Sequence, residues 1–455
     1  MFTRALALLL LPAAPLLAQD PVLSARVEAR IQSTAGDAVD VSVFAIESTS
    51  GRVVLARNPG RLMHPASTLK VVTAAAFLVA GGGGGEVVTT LRGPDPDGTL
   101  WLVGAGDPLL STPDLERLAI SAPGAIGVDA SLFAGPRFGT GWMWDDEPGA
   151  FMPHLSALSV DGAAIRVRVV GDPAGARAEI EPPGEHVSVE LAVEVRPDAP
   201  ADGEGVEIDR DWMERGRTVR ATGMVRPGDS AEARLSVPDP ALAAGRALRA
   251  MRLARGTPCG EVRSGVAPAG LPVLAKVVRS DTAILARSLK DSDNLSAECL
   301  LRLLAVRAGK TPATAEDGLA LVRAHLASLG QGEGRHRIVD GCGMSHYDLV
   351  SARLLVQVLR DVEGREGARA TLREALPIAG TDGTLARRFR DGPAAGRVRA
   401  KTGTISGASA LAGRFERPGR EPILFAVLVQ NYVGPAGPWR DLLDAIVLEI
   451  VEAER

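Results

Sequence analysis

The character of this chain changes twice along its length, and those two changes limit the folds open to it. Residues 71–80 form an apolar, Ala-rich run that suits a buried helix, and the glycine run at 81–85 ends it. From 86 to 259 the pattern becomes short strand-like segments, such as 99–103, 125–128, 165–170 and 187–195, separated by Gly, Pro and Asp. After Pro272 helical patterns return at 273–290, 295–308, 314–329 and 351–363. Strand patterns follow at 398–401, 408–415 and 423–431, and a last helix at 439–453. A hairpin pattern at 39–54 stands before the first helix. An early hairpin, a late meander and a terminal helix predict one α+β domain, an antiparallel sheet flanked by helices, built from both ends of the chain (19–85 and 260–455). The stretch 86–259 is then a large insertion of mixed α/β and β character.

With 455 residues, 46% of them hydrophobic, the chain can bury a core larger than one domain usually holds. Aromatic residues make up only 4%, so that core must be packed mainly from Ala, Val and Leu. The formal net charge is -4, with Arg interspersed among Asp and Glu, which gives nucleic acid no electrostatic footing. Met1 to Arg4 followed by an apolar stretch to Ala18 reads as a cleavable secretory signal at 1–18. A membrane anchor fits less well, because a span needs about 20 apolar residues. No Cys follows Ala18, so lipid attachment there is excluded. The expected location is exported, periplasmic or cell-wall facing, with peripheral membrane association left open. Cys259, Cys299 and Cys342 are an odd number without metal-type spacing; a disulfide between two of them stays open, and Cys299 reads as a small buried hydrophobe. The histidines are scattered, and neither a metal nor another cofactor is expected.

Three short motifs carry chemistry. Ser67 and Lys70 are three residues apart at the start of the first helix, which puts both side chains on one face. A serine hydroxyl needs a base to become a nucleophile, and a lysine whose charged form is disfavoured can be that base. Ser292-Asp293-Asn294 precedes an apolar helix. All three residues suit a helix cap, yet Ser292 could relay a proton and the Asn294 amide could hold a substrate carbonyl. Lys401-Thr402-Gly403-Thr404 is entered from a strand. Lys401 would supply positive charge for a terminal carboxylate and Thr402 a hydrogen bond to it. Gly403 would let substrate backbone lie close, and the Thr404 N–H would complete an oxyanion hole with the N–H of Ser67.

Taken in this order, the three motifs are those of penicillin-binding proteins and class A β-lactamases. The chain most resembles the D-alanyl-D-alanine carboxypeptidase/endopeptidase family of penicillin-binding protein 4, in which a large insertion follows the nucleophile helix, as the long gap between Ser67 and Ser292 requires here. Further stretches are similar to that family: 104–108, 141–161, 292–302, 340–345, 376–385 and 396–413. Two positions depart from its pattern, Cys342 where Ser is expected and His346 where Arg is usual. The resemblance implies a penicillin-binding transpeptidase-like fold and a serine enzyme acting on peptidoglycan peptides, with β-lactams as covalent inhibitors. It also implies that Trp144, with Asp145 or Asp146, contacts the diaminopimelate side chain of the substrate; a solvated loop is the competing reading of that stretch. The rival functions are a β-lactamase and a non-catalytic cell-wall binding protein.

Overall fold

The computed structural model describes residues 20–34, 36, 38–210 and 216–455; the expected signal at 1–18 lies outside the described residues. The two ends of the chain meet in one five-stranded sheet, in the order Val398–Ile405, Ala408–Phe415, Ile423–Gln430, Asp40–Glu47, Val53–Arg57. Every pairing in it is antiparallel. Strand side chains alternate between faces, and here both faces are covered. Ile423, Phe425, Val427 and Val429 pack with residues of helices Pro21–Thr34 and Gly437–Glu454. Leu424, Ala426 and Leu428 pack with residues of helices Leu69–Val79 and Ala352–Glu363 on the other side.

The insertion has its own five-stranded sheet, ordered Cys259–Ser264, Gly124–Asp129, Leu100–Val103, Glu86–Arg92, Val273–Ser280. Helices Thr112–Leu118 and Pro240–Ala254 pack on it. Two three-stranded sheets complete the insertion: Ser188–Val195, Thr218–Val225 and Val206–Arg210 form one, and Ser230–Ser236, Ala164–Asp172 and Gly175–Glu181 the other.

Two expectations are corrected. The helix expected over 273–290 begins only at Asp281; Val273–Ser280 is a strand paired with Glu86–Arg92. Its Val-rich, largely exposed sequence suits an edge strand, and the Ser280 side chain caps the following helix by accepting the Ala283 N–H at 3.3 Å. The insertion's sheet therefore reaches Ser280, beyond the boundary expected at 259/260. The second correction is helix Pro240–Ala254, in a stretch read as strands. Asp239 caps it and Pro240 opens it.

Every residue from Leu69 to Leu78 of the nucleophile helix is buried. The loop after Asp340 closes over the start of that helix. Gly343 has φ +81°, and a Cβ there would overlap the Ala66 carbonyl oxygen. We expect Gly343→Ala to lower stability by more than the about 1–3 kcal/mol of a strained backbone alone, measured by urea denaturation. Gly419→Ala is the control, since Gly419 shares the positive φ of +71° with open space around it. Equal losses in the two variants would mean that the close approach at Ala66 is no constraint.

Candidate active site

Ser67 lies half-buried in the single turn Ala66–Thr68 that leads into helix Leu69–Val79. Ala66 takes φ +46°, a left-handed conformation that a non-glycine residue rarely holds. Under this turn Lys70 is fully buried. Its Nζ stands 2.9 Å from Ser67 Oγ and donates to Asn294 Oδ1 at 2.7 Å and to the Cys342 carbonyl at 2.8 Å. Burial pushes the Lys70 ammonium below its ordinary range, while Cys342, Asp340, Asp293 and Glu298 pull the other way.

The loop that offers the Cys342 carbonyl is held by buried acids. Asp340 accepts the backbone N–H groups of Cys342, Gly343, Met344 and Ser345, at 2.6 to 3.1 Å, and the Trp142 indole N–H at 2.9 Å. Glu298 accepts the Gly341 N–H at 2.6 Å and is paired with Arg302 at 2.9 Å. Burial raises the Glu298 carboxyl, and the Asp340 charge adds to the rise, against Arg302.

Ser292 has φ +61°, a second left-handed non-glycine residue at the site. This turn sends its side chains in different directions. Ser292 Oγ lies 2.8 Å from Lys401 Nζ, and Asn294 faces Lys70. Asp293 instead caps helix Asn294–Arg307, accepting the Ser296 N–H at 2.7 Å. Lys401 is as buried as Lys70 and donates to the Thr402 carbonyl at 2.7 Å. Burial holds its pKa well below the usual lysine value, and the Lys70 charge lowers it further.

Gly403 lies against the nucleophile turn. A Cβ there would stand 2.8 Å from the Pro65 carbonyl oxygen and 3.0 Å from the backbone nitrogens of Ser67 and Thr68. Thr404 follows on the same edge strand, and its hydroxyl donates to the Gly403 carbonyl at 2.8 Å. Thr402 Oγ1 donates to Thr384 Oγ1 at 2.8 Å.

The insertion supplies one wall. Trp142 is tied to Asp340, and the Phe151 carbonyl accepts the Asn294 Nδ2 hydrogen at 2.7 Å. That bond leaves one N–H of Asn294 for a substrate carbonyl. The segment between these anchors carries Trp144, 57% exposed, and Asp146. Burial raises the Asp146 carboxyl and Asp145 adds to the rise, while His346 opposes it. The ring of His346 meets that of His64 edge to face at 5.8 Å.

Ser67, Lys70, Ser292, Asn294, Lys401, Thr402, Gly403 and Thr404 are thus brought together, with Trp144 and Asp146 on a segment fixed beside them. Sequence reasoning missed the Cys342 and Phe151 carbonyls, which as backbone groups leave no side-chain signature. It also missed Thr384, although the stretch 376–385 was singled out. Cys259, Cys299 and Cys342 are free thiols, and Cys299 and Cys342 are buried.

The model of the D-Ala-D-Ala carboxypeptidase 3 (S13) family matches residues 23–447. A D-alanyl-D-alanine carboxypeptidase of Actinomadura sp. (strain R39) is 30% identical, over 94% of this chain and 84% of that protein. A D-alanyl-D-alanine carboxypeptidase of Haemophilus influenzae is 25% identical over 86% of each. The crystal structure of penicillin binding protein 4 from Haemophilus influenzae superposes with a TM-score of 0.77, at 24% identity, covering 93% of this chain and 99% of that one. The chain belongs to the D-Ala-D-Ala carboxypeptidase 3 (S13) family.

Proposed function

We propose that this chain is an exported serine D-Ala-D-Ala carboxypeptidase or endopeptidase, which cleaves peptidoglycan stem peptides through an ester on Ser67. The observation that carries this reading is the environment of Lys70 Nζ. Two of its three neighbours, Asn294 Oδ1 and the Cys342 carbonyl, only accept hydrogen bonds. A neutral amine has two N–H groups for those acceptors and one lone pair left for the Ser67 hydroxyl at 2.9 Å. The neutral form, which burial favours, is therefore oriented as a base toward Ser67.

Ser67 Oγ attacks the carbonyl of the penultimate D-Ala as its proton moves to Lys70. The oxyanion sits between the N–H groups of Ser67 and Thr404, where one such donor is worth about 3 kcal/mol. The C–N bond breaks, and the leaving nitrogen takes a proton from Ser292, which Lys401 resupplies. Water then hydrolyses the ester, its hydroxyl going to the acyl carbon and its proton to Ser67 Oγ, and the proton held on Lys70 returns to Lys401, which resets the site. Thr402 binds the terminal carboxylate. Trp144 and Asp146 contact the side chain of the stem peptide, which lies along Gly403. β-Lactams acylate Ser67 in the same way, and that ester hydrolyses slowly. The activities of the relatives, the family match and the expected signal at 1–18 support this reading, with the periplasm or cell wall as the place of action.

A fluorescent penicillin should label the wild-type protein covalently and leave Ser67→Ala unlabelled; a labelled Ser67→Ala protein rules out the assignment. Lys70→Met should keep the fold and slow acylation by about 10²–10⁴, the usual share of a general base.

The pH dependence has a definite sign. The acylation rate should rise with pH as Lys70 loses its proton, with a midpoint below the ordinary lysine value; a rate that falls over this limb contradicts the role. Stability should rise too. Below the ordinary value of 10.5 and above the lowered folded values, the unfolded chain holds protons on Lys70 and Lys401 that the folded chain has released. Urea denaturation across that window should show the rise, flattened in Lys70→Met.

A further inference from the structure

A cavity of about 680 Å3 opens behind the 292–294 turn. Asp293 lines it, whereas Ser292 and Asn294 on either side face the two lysines. Parts of the insertion and of the peptidase domain meet there. Leu109, Leu110 and Pro182 give it apolar surface, and its charged lining is Arg166, Arg234 and Arg287 together with Asp161, Glu181 and Asp293.

Arg166 lies opposite Arg234 on one neighbouring strand and opposite Glu181 on the other; like charges directly opposite are unfavourable. The pairing of the arginines with protein carboxylates is incomplete. Arg166 reaches Glu232 at 3.2 Å and Glu181 only at 3.6 Å. Arg287 has Asp291 at 3.0 Å. Arg234 donates to the backbone carbonyl of Asp161 at 3.2 Å. The other acids of the cavity are engaged elsewhere. The Asp161 carboxylate accepts the Thr112 N–H at 3.0 Å and the Thr112 hydroxyl at 2.5 Å, and Asp293 is the cap of its helix. Each guanidinium has five donors in a planar fork suited to a carboxylate, so donors remain for a ligand.

We infer that this cavity is a second binding site, for a carboxylate-bearing peptide. On the function proposed above, that peptide is the second stem peptide of a crosslinked substrate. Its alkyl side chains lie on Leu109, Leu110 and Pro182, and its carboxylates meet Arg234 and Arg287. The site draws on both the insertion and the peptidase domain, and it touches the catalytic turn through Asp293.

The test compares two substrates in steady state, a crosslinked muropeptide dimer and a short peptide ending in D-Ala-D-Ala. Charge-assisted hydrogen bonds are worth about 1.5–3 kcal/mol, so the double variant Arg234→Ala, Arg287→Ala should raise KM for the dimer by about tenfold or more. Its kcat/KM for the short peptide and its rate of penicillin acylation should stay within about twofold of wild type. Amidating the carboxylates of the second stem peptide other than the one beside the scissile bond, which Thr402 binds, should raise KM of the wild-type enzyme by a similar factor. An unchanged KM for the dimer, an equal loss on both substrates, or indifference to amidation each overturns the proposal. Failure of the underlying enzyme reading is a separate result: wild-type protein that penicillin does not acylate.

Discussion

The geometry of the site depends on placing a lysine amine where water cannot reach it. An isolated ammonium in a protein interior is costly, and the group lowers its pKa rather than remain charged. Lys70 keeps its position because each direction around Nζ is occupied by an oxygen: Ser67 Oγ, Asn294 Oδ1 and the Cys342 carbonyl. Those oxygens come from three separate parts of the chain. The nucleophile turn, the 292–294 turn and the loop after Asp340 must therefore all be in place before the amine is satisfied. Truncating one partner would leave a buried polar group unpaired, costing about 1–3 kcal/mol.

The fold holds these parts by close backbone approach. Gly403 and Gly343 meet the nucleophile turn at Pro65–Thr68 and at Ala66, each leaving no room for a side chain. Asp340 then fixes the loop through four backbone N–H groups and an indole. The indole belongs to Trp142 of the insertion, and the insertion also lends the Phe151 carbonyl to Asn294. Met152, Leu155 and Trp142 share one apolar cluster with Leu295, Cys299 and Cys342. The insertion is thus packed into the support of the site. Cys342 fills a dry position in that cluster, where burial drives its thiol well above the ordinary range and keeps it uncharged.

Much of this was legible in the sequence where local pattern and tertiary context agree. The apolar run after Ser67 marked helix Leu69–Val79, and the strand Ala408–Phe415 lies where the strand pattern at 408–415 placed it. Val273–Ser280 was misread because Val-Leu-Ala-Lys-Val-Val fits either a strand or a buried helix; its pairing with Glu86–Arg92, distant in sequence, decides between them. Helix Pro240–Ala254 was missed despite its Asp-Pro start, since the strands around it set the expectation for the region. Helix Pro21–Thr34 buries Leu23, Val27 and Ile31, a four-residue spacing thinly spread among polar residues. At the site, side chains that do chemistry were readable. The backbone carbonyls that orient them were not, because every residue carries one.

Two buried lysines in one site also constrain the order of events. Lys401 is lowered by burial and then by the Lys70 charge. Groups coupled this way titrate as a pair, and the macroscopic values belong to both. A site holding one proton between them has a base on one side and an acid on the other. On the function proposed above, a proton passed from Ser67 to Lys70 would make an ammonium at Lys401 less favourable and so promote release of its proton through Ser292 to the leaving nitrogen. In that scheme the step that activates Ser67 would also prepare departure of the amine. It needs no movement of the chain, only the fixed distances of 2.9 Å at Ser67 and 2.8 Å at Ser292.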